Sequence, residues 1–363
     1  MTSARALVLT SPRHFEERDV EIGPTGDDDG VLRIEACGLC GTDHEQYTGH
    51  IHSPFAFVPG HEVVGVIEQV GSRASERWQV TAGQRVAVEV FNSCRECAAC
   101  RSGAYRRCER NGLATMVGFV DADTARGPRG GYATHLYLPP DSMLLPVPDE
   151  MDPVLATVFN PLGAGIRWAA TIPGTGDGDV VAVLGPGIRG LSACVAAKEA
   201  GAGFVMITGA GPGDRVRLDL ARHFGADLAV DVLTADPVEA LRDATGVDAD
   251  IVVDVTAKAP TALAQGVALL RPGGTLVLAG TRGSREVPNF HPDHIVYKEL
   301  RIIGALGVDY PAYQEAFRIL ASHRYPFAEL PRRVASLDTL EPLIQTMAGE
   351  GDADLPVHGV LVP

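Results

Sequence analysis

The pattern of apolar and polar positions changes near residue 160. Before it, short runs with β-branched residues, such as GVLRIEA (30–36), EVVGVIEQV (62–70) and QRVAVEVF (84–91), are punctuated by Gly and Pro. That spacing predicts a β-rich region. From about 178 the pattern becomes strand, helix, strand: DVVAVLG, LSACVAAKEAGA, FVMIT, RVRLDLARHFGA, LAVDV, VEALRDATG, DIVVDVT, PTALAQGVALLRPGG, TLVLAG. Alternation of this kind predicts a parallel, doubly wound α/β sheet. After Gly304, YQEAFRILAS reads as a helix and HGVLVP as a closing strand. No repeat or low-complexity segment interrupts the chain.

Length agrees with two regions, since 363 residues at about 150 per domain suggest two domains. A hydrophobic share of 45% with 21% charged residues is globular and excludes a disordered chain. The formal net charge is −15, and Lys198, Lys258 and Lys298 are the only lysines, so nucleic acid is an unexpected partner. The longest apolar stretches, such as VVAVL (180–184), fall far short of the roughly 20 residues that span a bilayer, and MTSARALVLTSPRH lacks the apolar run of a secretory signal. The expectation is a cytoplasmic protein with no membrane partner.

Seven cysteines, an odd number without a signal, point to metal or reactive thiols rather than to a disulfide framework. Cys94, Cys97, Cys100 and Cys108 form a C-x2-C-x2-C-x7-C series that can wrap one tetrahedral ion in four thiolates. Such a site has no open position, so its role would be structural. An iron–sulfur cluster or a redox dithiol are the alternatives.

The strand DVVAVLG runs into Gly185-Pro186-Gly187-Ile188-Arg189-Gly190 and then a helix, the context in which G-x-G-x-x-G indicates a dinucleotide pyrophosphate site. Gly185 would make the tight turn, Gly187 admit the ligand and Gly190 pack the helix, with free N–H groups along the helix dipole. The second strand ends at Gly209, where an acidic residue usually receives the ribose 2′-hydroxyl. Asp214 could meet a hydroxyl and Arg215 a 2′-phosphate, so NAD and NADP both stay open, with a slight lean to NAD.

Upstream, CGLCGTD (37–43) and GHEVVG (60–65) place thiols, an imidazole and carboxylates near expected strand ends. Taken alone, His61 could be a polar residue at a strand start, and Cys37 with Cys40 a redox pair.

With CGLCGTD, PGHEVVGVIEQVG (59–71), the four-cysteine lobe, RGGYATHLYLP (129–139), GPGIRG and LRPGGTLVLAG (270–280), the chain resembles the zinc-containing medium-chain dehydrogenase/reductase family over essentially its whole length. The resemblance implies a GroES-like catalytic domain at 1–160 with a structural zinc lobe at about 92–110, a Rossmann cofactor domain at 161–305, and a return to the catalytic domain at 306–363. It implies two zinc ions per chain, one catalytic and one structural. Cys40 and His61 would be catalytic zinc ligands, Glu62 the neighbouring carboxylate, Thr42 the hydroxyl that passes the substrate proton, and Asp43 the group that orients His61. Cys37 becomes a pocket or core thiol. A homodimer or homotetramer is expected.

Two positions depart from the family. The usual third ligand aligns with Asn160 in VFNPLGAG, and because zinc favours thiolate, imidazole and carboxylate, Glu62 is the expected replacement, with Asn160 the alternative. The relay histidine is replaced by Glu45, with His44 one place earlier; either could carry the proton onward. Tyr47, Phe55, Phe57 and Phe91 lie in segments that flank the pocket in relatives, and equally suit a core. The expected activity is reversible hydride transfer between a medium or bulky, secondary alcohol and NAD(P). A zinc-free carbonyl or enone reductase of the same superfamily, and a non-enzymatic dinucleotide-binding protein with one structural zinc, are the alternatives.

Overall fold

The computed structural model describes residues 2–257, 259–282, 286–350 and 355–363; Lys258 lies outside the described residues. The chain divides into two compact units, Met1–Phe159 with Phe327–Pro363, and Asn160–Pro326. Among the described residues, no helix is long and apolar enough to cross a membrane.

The second unit contains a six-stranded, wholly parallel sheet: β1 (Val180–Leu184), β2 (Phe204–Gly209), β3 (Leu228–Asp231), β4 (Ala249–Asp254), β5 (Leu270–Leu278) and β6 (Arg301–Gly304). Their order across the sheet is 3-2-1-4-5-6, so the direction of winding reverses between β1 and β4. That reversal is the doubly wound dinucleotide-binding topology, whose ligands lie beyond the carboxyl ends of the strands at the switch point. The central strands are buried along their length, as a sheet covered on both faces requires.

One boundary differs from the sequence reading. The helix expected through PTALAQGVALLRPGG ends at Leu269, and LRPGG already belongs to β5. Pro272 and Gly273, the latter at φ 76°, do not continue a helix. The Lys298 ammonium instead takes the last carbonyls, donating to Val267 O and Ala268 O at 3.0 Å and to Leu270 O at 2.6 Å.

The first unit is built on a largely antiparallel sheet in which Gly30–Leu39 is central. It pairs with Glu62–Val70 on one side and His358–Leu361 on the other, while His135–Leu138 pairs with its first residues. A hairpin of Thr2–Ser11 and His14–Ile22, which the sequence pattern had not marked, packs beside it. The consequential register is Gly38 opposite Glu62 and Cys37 opposite Val63. It brings the segment that leaves one strand at Cys40 against the segment that enters the next at His61.

Candidate active site

Cys40 follows the strand Gly30–Leu39 directly and precedes a short helix, Gly41–Tyr47. Asp43 stabilises this turn, because its Oδ2 accepts the Cys40 N–H at 2.7 Å. Facing it across the register, His61 and Glu62 are buried, and the Cys40 sulfur lies 3.4 Å from His61 Nε2. The ligand atoms of Cys40, His61 and Glu62 all fall within 4.8 Å of one another. Gly38 is part of the reason, since a β-carbon there would overlap Glu62 Oε2. Thiolate, imidazole and carboxylate from three side chains fit the donor set of a catalytic zinc. Behind the imidazole, His61 Nδ1 lies 4.0 Å from Asp43 Oδ1, and among the described residues neither atom has a hydrogen-bond partner. An ion drawing on His61 Nε2 would leave Nδ1 as the donor to that carboxylate.

The second cluster is Cys94, Cys97, Cys100 and Cys108, whose sulfurs also lie within 4.8 Å of one another. All seven cysteines are unbridged. Backbone N–H groups point at the sulfurs: Cys97 N to Cys94 at 3.3 Å, Cys100 N to Cys97 at 3.4 Å, and Asn111 N to Cys108 at 3.4 Å. Burial opposes ionisation of Cys108, yet the N–H groups of Cys94, Asn111 and Arg110 outweigh it and bring its pKa down to about 6. Four thiolates gathered this closely fit the donor set of a structural zinc.

In the second unit, β1 leads through Gly185, at φ 103°, to α1 (Ile188–Glu199), whose N-cap is Gly187. A β-carbon at Gly190 would overlap Gly185 O, so the helix can press against the turn only with glycine there. At Gly187 a β-carbon would meet nothing within 4 Å, which leaves open space before the helix N-terminus. This cradle fits a pyrophosphate. Ile188 is buried, and the Arg189 guanidinium stacks 5.6 Å from the Trp168 ring centroid. At the end of β2, a side chain on Gly209 would meet Pro186 at 2.8 Å and the Asp214 β-carbon at 3.0 Å. The loop has folded into the space where the acidic side chain usually stands. Asp214 Oδ2 accepts Ala210 N at 2.9 Å and Oδ1 accepts Arg217 Nη1 at 3.0 Å, while Arg215 is exposed.

Residues 26–149 match the model of the alcohol dehydrogenase GroES-like domain, and residues 190–322 match that of the zinc-binding dehydrogenases. A probable alcohol dehydrogenase of Mycobacterium tuberculosis H37Rv is 62% identical over 360 residues, covering 99% of this chain and 98% of that one. The chain belongs to the zinc-containing medium-chain dehydrogenase/reductase family. A sorbitol dehydrogenase of Bacillus subtilis is 31% identical over 292 residues, 78% of this chain and 77% of that one. Among solved structures, a protein of Sinorhizobium meliloti 1021 described as a zinc-binding dehydrogenase and bound to NADP superposes with a TM-score of 0.84, at 26% identity and full coverage of both chains. This family member is therefore an oxidoreductase of the alcohol dehydrogenase kind, with GroES-like and Rossmann architecture.

Other expected site residues take varied places in this dehydrogenase. Asn160 lies buried in the helix Phe159–Ile166 and donates through Nδ2 to Tyr313 Oη at 3.0 Å. His44 is engaged with Glu350, Nε2 to Oε1 at 2.7 Å. Arg13 and then His44 hold the Glu350 carboxyl down to about 2. Thr42 and Glu45 are half-buried on the same short helix. Burial pushes the Cys37 thiol well up, which suits a core residue rather than a redox partner. Tyr47 packs in the core of its unit, stacked 5.6 Å from Phe15, with its hydroxyl bonded to Glu341 and Gln345. Phe91 is buried and Phe55 exposed. Phe57 stacks at 6.4 Å on Phe119, whose ring lies 6.2 Å from that of His61. Sequence reasoning missed Phe119, which sits in a loop without periodicity and carries no local signal.

Proposed function

We propose that this chain is a zinc-dependent alcohol dehydrogenase that interconverts a medium or bulky secondary alcohol and its ketone with NAD(P), leaning to NAD, and that it holds two zinc ions. The convergence of Cys40, His61 and Glu62 around one point, with Gly38 leaving room for the carboxylate, carries this reading. Glu62, rather than Asn160, completes the protein ligands, because an anionic carboxylate oxygen suits zinc better than a neutral amide oxygen. When bound, zinc supplies Lewis acidity that lowers the pKa of the alcohol, and the nicotinamide accepts hydride. Thr42, two residues after Cys40, takes the hydroxyl proton, and Glu45 carries it onward; His44 is the second choice, since Glu350 already holds its Nε2.

Cys94, Cys97, Cys100 and Cys108 hold the structural ion. Gly185, Gly187, Ile188, Arg189 and Gly190 form the pyrophosphate cradle, with Gly209, Asp214 and Arg215 at the adenosine ribose. The carboxylates of Asp214 and of Asp231, which accepts Gly211 N at 2.9 Å, support the lean to NAD, because they would oppose a 2′-phosphate. The Phe57–Phe119 stack beside His61 supports an apolar substrate. Phe55, Phe91 and Tyr47 would act at most as backing. The unit of residues 1–159 with 327–363 serves catalysis and that of 160–326, which takes in 306–326 as well, serves the cofactor, in a homodimer or homotetramer.

The test is turnover with a panel of primary, secondary and polyol substrates, with metal content measured on the same preparation. We expect two zinc ions, kcat/KM highest for secondary alcohols with apolar substituents, and NAD preferred. One zinc in active enzyme, or turnover confined to enones, would replace this reading with the zinc-free reductase. NADP preferred by more than about tenfold, roughly 1.4 kcal/mol, would reverse the cofactor lean.

A further inference from the structure

Three buried polar atoms have no hydrogen-bond partner of ordinary geometry among the described residues: His61 Nδ1, Asp43 Oδ1 and Tyr132 Oη. The first two face each other. Tyr132 comes from a different segment, next to Gly131, and is completely buried. Its ring is fixed by packing. A β-carbon on Gly60, the residue before His61, would lie 2.6 Å from the Tyr132 ring, and Phe15 meets the ring edge-on at 6.3 Å. Burial, and then the negative charge of the nearby Asp43 carboxylate, push the phenol's pKa up and keep it protonated. A phenol buried in this way is unfavourable unless its O–H finds an acceptor.

We propose that Tyr132 is a positioning residue for the metal: its O–H donates to Asp43 Oδ1 while the Cys40 N–H donates to Oδ2, so that the carboxylate is held to accept His61 Nδ1–H and to aim Nε2 at the ion. Three donors from three separate segments then converge on one carboxylate. Asp43 ties the Cys40 turn, the His61 ring and the Tyr132 segment into one unit. Groups behind metal ligands commonly alter metal affinity by 10- to 100-fold.

This inference rests on the assignment of Cys40, His61 and Glu62 as zinc ligands. The experiment compares wild type, Tyr132→Phe, Asp43→Asn and the double variant, all loaded with zinc. Release of zinc to a chromophoric chelator is followed, and the visible spectrum is recorded after cobalt replaces the labile ion. Tyr132→Phe should release the labile zinc about tenfold faster and shift the cobalt spectrum, Asp43→Asn should do so more strongly, and the double variant should match Asp43→Asn. Thermal melting checks that the single-oxygen deletion leaves the fold intact, and Asp43→Asn probes the same contact from its other end. Unchanged release and spectrum in Tyr132→Phe, or additive effects in the double variant, would overturn the Tyr132 role alone. A wild-type enzyme that binds zinc only in the four-cysteine lobe would overturn the ligand assignment and the Tyr132 role with it.

Discussion

The two clusters of potential metal ligands are built differently. The lobe takes four like ligands from residues 94–108, and local turns alone aim backbone N–H groups at the sulfurs. The Cys40, His61 and Glu62 cluster takes three unlike ligands from two strand ends that meet only through sheet register, backed by Asp43. The first is confined to one loop, whereas the second depends on the packing of the whole unit. A structural site can be built from short-range sequence, whereas a reactive one must be assembled from afar so that its open side and its supporting groups are set independently.

That contrast can be broken experimentally. The largest effect is expected from His61→Ala, which should lower turnover about ten-thousandfold, some 5 kcal/mol, while the melting temperature stays close to that of wild type. Melting that collapses together with activity would show that this cluster, too, is structural. Cys100→Ala should do the reverse, since leaving three thiolates around the ion removes folding free energy of about 3 to 5 kcal/mol, read as a lower urea midpoint and protease cleavage within 92–110.

A smaller change separates the thiolates from their surroundings. Asn111 donates to Cys108 through its backbone N–H at 3.4 Å and through Nδ2 at 3.5 Å, and Nδ2 also reaches Asp141 at 2.9 Å. Asn111→Ala should cost about 1 to 2 kcal/mol of stability, with both zinc ions retained. Loss of the lobe's zinc would instead mean that the side chain, not the backbone, sustains the site.

The smallest effect compares His61 with a second buried histidine of the same unit. His358 is fully buried, accepts Arg332 Nε on Nδ1 at 3.0 Å, and lies 3.5 Å from the Thr157 hydroxyl through Nε2. Burial, reinforced by Arg332, pushes its pKa down from 6.5 to about 3. The unfolded chain therefore takes up the proton first, so this contribution to stability is complete above pH 6.5 and is lost as pH falls toward 3. His358→Gln should flatten the stability–pH curve in that window by up to about 1.4 kcal/mol per pH unit and leave zinc content unchanged. An unaltered slope would mean that the imidazole is not held neutral.

Much of this architecture was visible along the chain because its signals are short. Cysteine spacing, the glycine pattern between β1 and α1, and the strand and helix periods all depend on neighbours within about one turn or one strand. The boundary at Leu269 was misplaced because an apolar helix running into LRPGG gives no periodic cue to where it stops, and Lys298, whose ammonium takes its carbonyls, lies 31 residues beyond Val267.

The residue types of both ligand clusters, the glycine turn and the order of strands and helices were thus written in the local sequence. Folding alone determined what those residues meet. Register placed Cys40 beside His61, packing left the Glu62 carboxylate the space beside Gly38, and the loop after β2 filled the position where Gly209 lacks a side chain. The same holds for Tyr132, which buries its hydroxyl in the neighbourhood of Asp43 although 89 positions of sequence separate the two. Such contacts depend on distances between segments, and a linear pattern carries no measure of those until the sheets have closed.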